Sequence, residues 1–177
     1  PYDRGIEGES GIASWAEYNA VAFSNSWTDL VTNRESGLSA LATALTGYAP
    51  KWGLHLEENR VPNIVVDVEC DLSSLADWSI LGDWIGKQVR PGWDVPYGPM
   101  PLIRGLPSYI SFASKKALTA AAANYGCAML WAEGHTKAPT LTGKEETLVF
   151  TEQYLAARYE DLAPKGQVDL VVIGCPQ

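Results

Sequence analysis

Short apolar runs alternate with helical patterns in the second part of the chain, and this alternation restricts the fold more than any other feature. The runs lie at 64–68, 127–131 and 168–173. Their residues are continuously apolar rather than alternating, which is typical of strands buried on both faces of a parallel sheet. Apolar residues at helical spacing fill the stretches between them. We therefore predict an α/β fold of three layers, α/β/α, around a mostly parallel sheet.

Start signals place three helices around these strands. Ser74 begins the first helix, an alanine-rich helix covers 114–125, and Thr142 with Glu145 forms a capping box at the start of the third. A stretch rich in proline at 91–112 predicts a long irregular connection, of the kind that is often functional.

The beginning of the chain has a different character, because helical patterns dominate it. Ser14 and Glu17 fit a capping box at a helix start, and apolar residues at helical spacing predict a second helix over 38–45. We predict a mainly helical active-site segment over 1–62 and an alternating β/α subdomain over 63–177, which together form one core fragment.

Charge and cysteine content exclude several classes of partner. Lysine and arginine number 13, aspartate and glutamate 21, and the net charge is −8. An acidic chain without a basic stretch argues against nucleic acid and anionic membranes as partners. No run reaches the roughly 18 apolar residues that a membrane span needs. Three scattered cysteines form no disulfide framework and cannot complete a four-cysteine metal site, which favours a reducing compartment.

Cys175 is the cysteine whose position suggests chemistry. It follows the last apolar run and precedes Pro176, at the carboxyl end of a strand where ligands gather in such sheets. Cysteine before proline also occurs in iron–sulfur ligation; the alternative is a small, half-buried residue. Cys70 and Cys127 fit core positions better, and His135 is interpreted as a loop residue.

Polar groups in the first part of the chain are candidates for binding or catalysis. The planar fork of Arg34 suits a carboxylate or a phosphate, although a surface salt bridge to Glu35 or Asp29 explains it equally simply. His55 is a candidate general acid or base, as imidazole groups serve in this role, but a hydrogen-bonded core histidine is the common alternative. Glu17 has a functional and a capping interpretation, and both stay open.

The order and spacing of several segments resemble the core of the aconitase X family. The segments are SWAEYNAVAFSNS at 14–26, TNR at 32–34, and the stretch from ALTGYAP to GLHLEENR at 44–60. EG at 133–134 and LVVIGCP at 170–176 extend the resemblance over essentially the whole chain.

This resemblance implies a cytoplasmic iron–sulfur hydro-lyase, in which cluster iron acts as Lewis acid on a substrate hydroxyl and a base removes a proton from the neighbouring carbon. Known members dehydrate cis-3-hydroxyproline or phosphomevalonate, and their longer large subunit works with a small swivelling subunit or domain. Matched residue by residue, it implies a cluster ligand at Cys175. It implies catalytic roles for Glu17, Asn25 and His55, and substrate binding by Ser26, Asn33, Arg34, Asn59 and Arg60.

Departures from the family pattern indicate an incomplete enzyme. Gln177 stands where histidine is usual, and Ala16 and Tyr18 stand where serine is usual. By the resemblance, one further cluster cysteine would precede Pro1 and the last would follow Gln177. We therefore expect a fragment of the large subunit that is inactive alone, holds no complete cluster and lacks its small subunit.

Two other functions stay open at this stage. The chain fits a cluster-free α/β module that binds small carboxylates or phosphates. It also fits a non-catalytic interaction fragment, whose exposed apolar edge would form homo-oligomers.

Overall fold

The computed structural model of the protein describes residues 10–88 and 98–172 and builds them into an α/β fold. Short strands and helices open the chain, and a parallel sheet with its crossover helices follows. In chain order the elements are β1 (Ser10–Ile12), α1 (Tyr18–Trp27), β2 (Asp29–Val31), α2 (Gly37–Thr46), two 3₁₀ turns (Gly53–His55 and Glu57–Asn59), β3 (Ile64–Glu69), α3 (Leu75–Gly86), β4 (Pro101–Arg104), α4 (Phe112–Ala123), β5 (Trp131–Ala132), β6 (Glu146–Thr151) and α5 (Glu152–Leu162).

Four strands form the main sheet in the order β5-β4-β3-β6, and all of them run parallel. In register, Val66 of β3 lies between Ile103 of β4 and Leu148 of β6. Parallel neighbours need long crossovers, and α3 and α4 supply those from β3 to β4 and from β4 to β5. The predicted α/β class is confirmed.

Two apolar clusters cover the two faces of this sheet, because successive side chains of a strand point to opposite sides. Ile103 packs with Leu81 of α3 and Leu118 of α4 in one cluster. Its neighbour Leu102 packs with Val21 of α1 in the other. The second cluster therefore joins the helical beginning of the chain to the sheet.

Helix ends agree with two of the predicted signals. Gly47 ends α2 with a φ of +74°, a left-handed conformation that glycine adopts at low cost. Ser74 caps α3 and forms a capping box with Asp77. Burial alone would raise the pKa of Asp77, but hydrogen bonds from Tyr159 and from the Ser74 backbone outweigh it and hold the pKa below its usual value.

The structure corrects the prediction for 142–159. A strand, β6, occupies the first part of this stretch, and α5 begins only after Thr151, which caps it. Thr142 and Glu145 do interact, but the Glu145 carboxylate closes a turn by accepting from the Thr142 N–H and hydroxyl. The residues that follow are rich in β-branched and aromatic side chains, and pairing with β3 decides their conformation.

The predicted strand at 168–173 is absent over 168–172, and Ile173 lies outside the described residues. Leu170 and Val172 are 79% and 82% exposed. A strand needs a neighbour to satisfy its backbone groups, and residues 168–172 pair with no strand among the described residues.

The predicted irregular connection at 91–112 contains a strand, β4. Its proline, Pro101, is the first residue of the strand, which is a position where proline is tolerated. The apolar run at 127–131 contributes only Trp131 to a strand, in β5.

Residues 91–97 lie outside the described residues, and the division of the chain at residue 62 stays a prediction. No helix within the described ranges has the length and apolar content to cross a membrane.

A close approach of α3 and α4 depends on Gly82. A Cβ atom there would collide with the Leu118 backbone carbonyl oxygen and would lie 2.9 Å from the Ala121 methyl carbon. A backbone atom cannot move aside cheaply, so the helix pair requires glycine at this position.

We expect Gly82→Ala to lower the free energy of unfolding by about 2 kcal/mol, because overpacking outweighs the better helix propensity of alanine. Chemical denaturation followed by circular dichroism measures this. Gly166→Ala is the matched control, since no heavy atom lies within 4 Å of a Cβ there. Equal midpoints for both variants would refute the close-approach argument.

Candidate functional site

Most of the predicted site residues come together in one hydrogen-bonded region. Its parts are the last turn of α1, the segment after β2 and the stretch 53–60 with its two 3₁₀ turns. These segments are separated along the chain, and buried amide side chains connect them. The region adjoins the second apolar cluster, through Val21 of α1 and Leu54.

Asn25 is the central connection of this region. It is 2% exposed, and its amide nitrogen donates to the carbonyl oxygens of Thr32 and Ala128 at 2.9 and 3.0 Å. Its Oδ1 accepts from the Thr32 N–H at 3.0 Å and from Arg60 Nη1 at 2.9 Å. Both amide hydrogens and two acceptor positions are thereby used. In this arrangement Asn25 acts as a positioning residue.

Asn33 holds the next segment in place. It is 1% exposed, its Nδ2 donates to the Trp52 carbonyl oxygen at 2.9 Å, and its Oδ1 accepts from the Leu54 N–H at 2.6 Å. Gly53 lies against this amide with a φ of +64°, and a side chain there would collide with Asn33. The amide thus determines the path of the chain into His55.

His55 has one ring nitrogen in use and one without a partner. Its Nδ1 lies 2.8 Å from the Pro50 carbonyl oxygen, which only accepts, so Nδ1 carries the proton in this arrangement. Asn33 Nδ2 lies 3.3 Å from the same nitrogen. Nε2 is buried and has no hydrogen-bond partner among the described residues. A neutral imidazole oriented in this way has its lone pair on Nε2, as a general base requires.

Arg34 is a cation that only uncharged groups hold. Its Nη1 donates to the Gly126 carbonyl oxygen at 3.1 Å, and the guanidinium lies 4.5 Å from the centre of the Tyr18 ring. Its Nε is buried and has no hydrogen-bond partner in the part of the chain that the structure describes. The alternative prediction was a salt bridge to Glu35 or Asp29. This salt bridge does not form, and Arg34 has no ion pair within the described ranges.

Arg60 is held in the same way. Its Nη1 donates to Asn25 Oδ1, and its Nη2 donates to the Asn25 carbonyl oxygen at 3.3 Å. Leu54 adds a longer contact from its carbonyl oxygen at 3.5 Å. Burial lowers the pKa of the Arg60 guanidinium, and the carboxylate of Glu57 partly opposes this shift.

The other predicted residues in the described part have structural contacts. Ser26 donates to the Ala22 carbonyl oxygen at 2.6 Å and accepts from the Leu130 N–H at 3.0 Å. Asn59 donates to the Gly53 carbonyl oxygen at 2.9 Å.

Glu17 itself caps α1, which begins at Tyr18, by accepting from the N–H groups of Asn19 and Ala20. Ser14, the predicted cap, has a buried hydroxyl without a partner in the described chain.

A cavity of about 590 Å³ opens beside this region. Asn25, Ser26 and Arg60 line it, whereas Glu17, Asn33, Arg34, His55 and Asn59 do not. Its other lining residues come from the end of α1, β2 and the loop after β5: Trp27, Thr28, Asp29, Val31, Met129, Trp131, His135, Thr136 and Lys137.

Lys137 is the functional candidate that sequence reasoning missed. It follows β5 by a few residues, at a carboxyl end of the sheet, so the strand-end rule is the signal that could have found it. His135 also lines the cavity, and its Nε2 lies 2.9 Å from the Pro107 carbonyl oxygen, which agrees with its interpretation as a loop residue.

The two described cysteines are not poised as metal ligands. Complete burial raises the pKa of Cys127 to about 12, and burial together with nearby carboxylates raises the pKa of Cys70. Within 10–88 and 98–172, no three side chains of histidine, cysteine, aspartate or glutamate are grouped so as to hold a metal ion. Cys175, the predicted ligand, lies outside the described residues.

Comparison with known proteins defines the class of this α/β protein. The family profile for the aconitase X first domain matches residues 1–58, and that for the aconitase X second domain matches residues 62–160. The chain belongs to the aconitase X family, and the resemblance of its motifs is confirmed.

Its relatives are dehydratases. The phosphomevalonate dehydratase large subunits of Thermococcus kodakarensis and Methanothermobacter thermautotrophicus are 36% and 38% identical over 92% of this chain, which covers 41% and 40% of them. A cis-3-hydroxy-L-proline dehydratase of Pseudomonas aeruginosa is 44% identical over 63 residues, 36% of this chain and 11% of that protein.

A solved structure agrees with these relatives. The crystal structure of Thermococcus kodakaraensis aconitase X in its holo-form superposes with a TM-score of 0.78 at 32% identity, over 90% of this chain and 40% of that one. The chain thus spans about two-fifths of the length of the proteins it matches.

The contacts of Asn25 predict that its removal destabilises the fold. Asn25→Ala leaves two buried carbonyl groups and Arg60 short of partners, so we expect a loss of roughly 3 kcal/mol in the free energy of unfolding. Urea denaturation measures the loss, and Asn124→Ala, at an exposed helix end, is the control. An unchanged midpoint for Asn25→Ala would show that the amide does not support the region.

Proposed function

We propose that this chain forms part of the active site of a dehydratase that eliminates water from a small hydroxy acid. The substrate is hydroxyproline-like or phosphomevalonate-like. The observation that carries the proposal is the joining of the motif residues of α1, of 32–34 and of 53–60 by buried hydrogen bonds into one region beside a cavity. The relatives described above are dehydratases, which supports the same reaction class.

In this proposal the arginines bind and the histidine transfers a proton. Arg34 and Arg60 have no carboxylate partner in the described chain and bind the anionic group of the substrate. His55 Nε2 accepts the proton from the carbon next to the hydroxyl-bearing carbon. Asn33, with Asn25, Ser26 and Asn59, orients these groups. Glu17 stabilises the start of α1 through the hydrogen bonds with which it caps the helix.

The resemblance implies an iron–sulfur cluster, and the described residues do not fit one. Cys127 is buried as a thiol, carboxylates surround Cys70, and no group of three donors occurs in the described ranges. Cys175 remains a predicted ligand. The proposal therefore routes no step through the cluster, and it assigns the remaining ligands to other parts of the assembled enzyme.

The proposed partners are the rest of a large subunit and a small swivelling subunit or domain, and the proposed location is the cytoplasm. Two findings support the partners: the most extensive matches are proteins named large subunits, and this chain spans about two-fifths of them. We therefore propose that the chain is inactive alone.

A chimera tests the reaction. When this chain replaces the matching part of the Thermococcus kodakarensis large subunit, we expect dehydration of phosphomevalonate. We expect His55→Gln to lower kcat by roughly 10²- to 10⁴-fold with little change in KM, because the variant loses the base and keeps the binding groups. Lys51→Gln, an exposed neighbour, serves as control.

Two outcomes would overturn the reaction proposed. Full kcat in the His55→Gln chimera would remove the proposed base. The cluster-free binding module would be favoured instead by three results together. The chimera would fold without turnover, the iron-free chain would bind small carboxylates, and Arg34→Ala would abolish this binding.

An interaction fragment is a second candidate function, favoured by α2. This helix of ten residues contains no charged residue and none that is buried. Leu38, Leu41 and Leu45 lie on one face and are 80%, 55% and 77% exposed. Tyr48 and Trp52 extend the exposed apolar surface. Contiguous apolar surface of this kind marks a docking site for further polypeptide.

We expect the isolated chain to self-associate through this face, because no charge opposes pairing of α2 helices. Light scattering over a concentration series measures the mass. The variant L41K/L45K should stay monomeric, whereas Leu162→Lys, at an exposed leucine of α5, should associate like the parent chain. A monomeric parent chain at high concentration would count against this function.

A further inference from the structure

A groove in the described part of the chain contains two cations that form no ion pair there. The cavity of about 590 Å³ continues into a neighbouring cavity of about 260 Å³, and four residues line both of them. These are Arg60, Lys137, Met129 and Trp131. The apolar floor, Met129 and Trp131, is 5% and 3% exposed. The centre of the groove therefore combines two positive charges with an apolar surface.

Arg60 is fixed in place before any ligand binds. Three contacts to neutral oxygen atoms hold its guanidinium, two from Asn25 and one from Leu54. Neither Arg60 nor Lys137 forms an ion pair within the described ranges. A half-buried cation with only neutral partners interacts strongly with an anion, because the surrounding protein screens the charge less than water does.

Among the described residues, each of the two cavities has one acidic residue in its lining. Asp29 lines the larger cavity alone and Glu57 the smaller cavity alone, and both side chains are exposed. One anionic group fits the centre, and a second anion at either end meets a carboxylate. Neutral hydroxyl and amide groups complete the larger cavity, among them those of Thr136 and Ser26.

We propose that Arg60 and Lys137 form a binding site for one oxyanion group of a small molecule, either a carboxylate or a phosphate. Arg60 supplies a rigid planar fork, and Lys137 supplies a second positive charge on a flexible side chain in the lining that the two cavities share. Trp131 provides the apolar floor on which the carbon skeleton of the ligand rests. This inference rests on the proposed function, which assigns Arg60 to the anion of the substrate, and it adds Lys137 as the second cation of the site.

Titration of the intact chain at constant ionic strength tests the site. Inorganic phosphate and acetate are the two probes, and the indole N–H signals of the tryptophans are the reporters. We expect saturable shifts at Trp27 and Trp131, which line the larger cavity, and none at Trp78, which lies in the other apolar cluster. The probe that binds more tightly identifies the oxyanion as carboxylate or phosphate.

Variants at the exposed Lys137 separate binding from folding. Lys137→Gln should weaken binding of the tighter probe roughly tenfold, and Lys137→Arg should retain this binding. Lys144→Gln changes an exposed lysine outside the groove and should leave the affinity unchanged. Absence of saturable shifts, or equal affinities for Lys137→Gln and the parent chain, would overturn the site. Because these readouts need no turnover, their failure is distinct from failure of the dehydratase chimera.

Discussion

The candidate site depends on one buried amide, that of Asn25. It joins the end of α1, the segment after β2, the approach to β5 and Arg60 through four hydrogen bonds. A buried amide with every bond made stabilises a single arrangement, because any displacement leaves a desolvated polar group without a partner. Asn33 fixes the chain around Leu54 in the same way, through hydrogen bonds of its buried amide. Two asparagines therefore hold polar loops in defined positions where loops would otherwise vary.

The same arrangement sets the electrostatics of the region. Arg34 and Arg60 are bound by carbonyl oxygens, an amide and an aromatic ring, so their positions are fixed while their charges stay available. This occurs in a chain with a net charge of −8, in which acidic partners are abundant. Two arginines that form no ion pair within the described ranges are what an anion-binding region requires, and they account for the ligand chemistry proposed for the groove.

Local signals in the sequence predicted those elements whose conformation is decided locally. The β-branched run that forms β3 and the helix start at Ser74 are of this kind. The predictions that failed concern segments whose conformation depends on pairing between strands. Residues 146–151 were predicted as helix and form β6, and the apolar run at 168–172 was predicted as a strand and stays exposed. Which run occupies the edge of β3 depends on the whole fold, and no local pattern contains that information.

The sequence by itself determined the α/β class and the family, because periodicity and ordered motifs are properties of the chain, whereas the polar residues that it assigns to the site stay predictions. Only the tertiary structure decided what those residues do. Asn25 joins separate segments through its hydrogen bonds and Glu17 caps a helix, while one ring nitrogen of His55 has no partner among the described residues. Lys137 entered the groove although no motif marks it. The physical reason is that burial, charge compensation and hydrogen-bond satisfaction arise between segments distant in sequence, and they exist only once the segments have packed together.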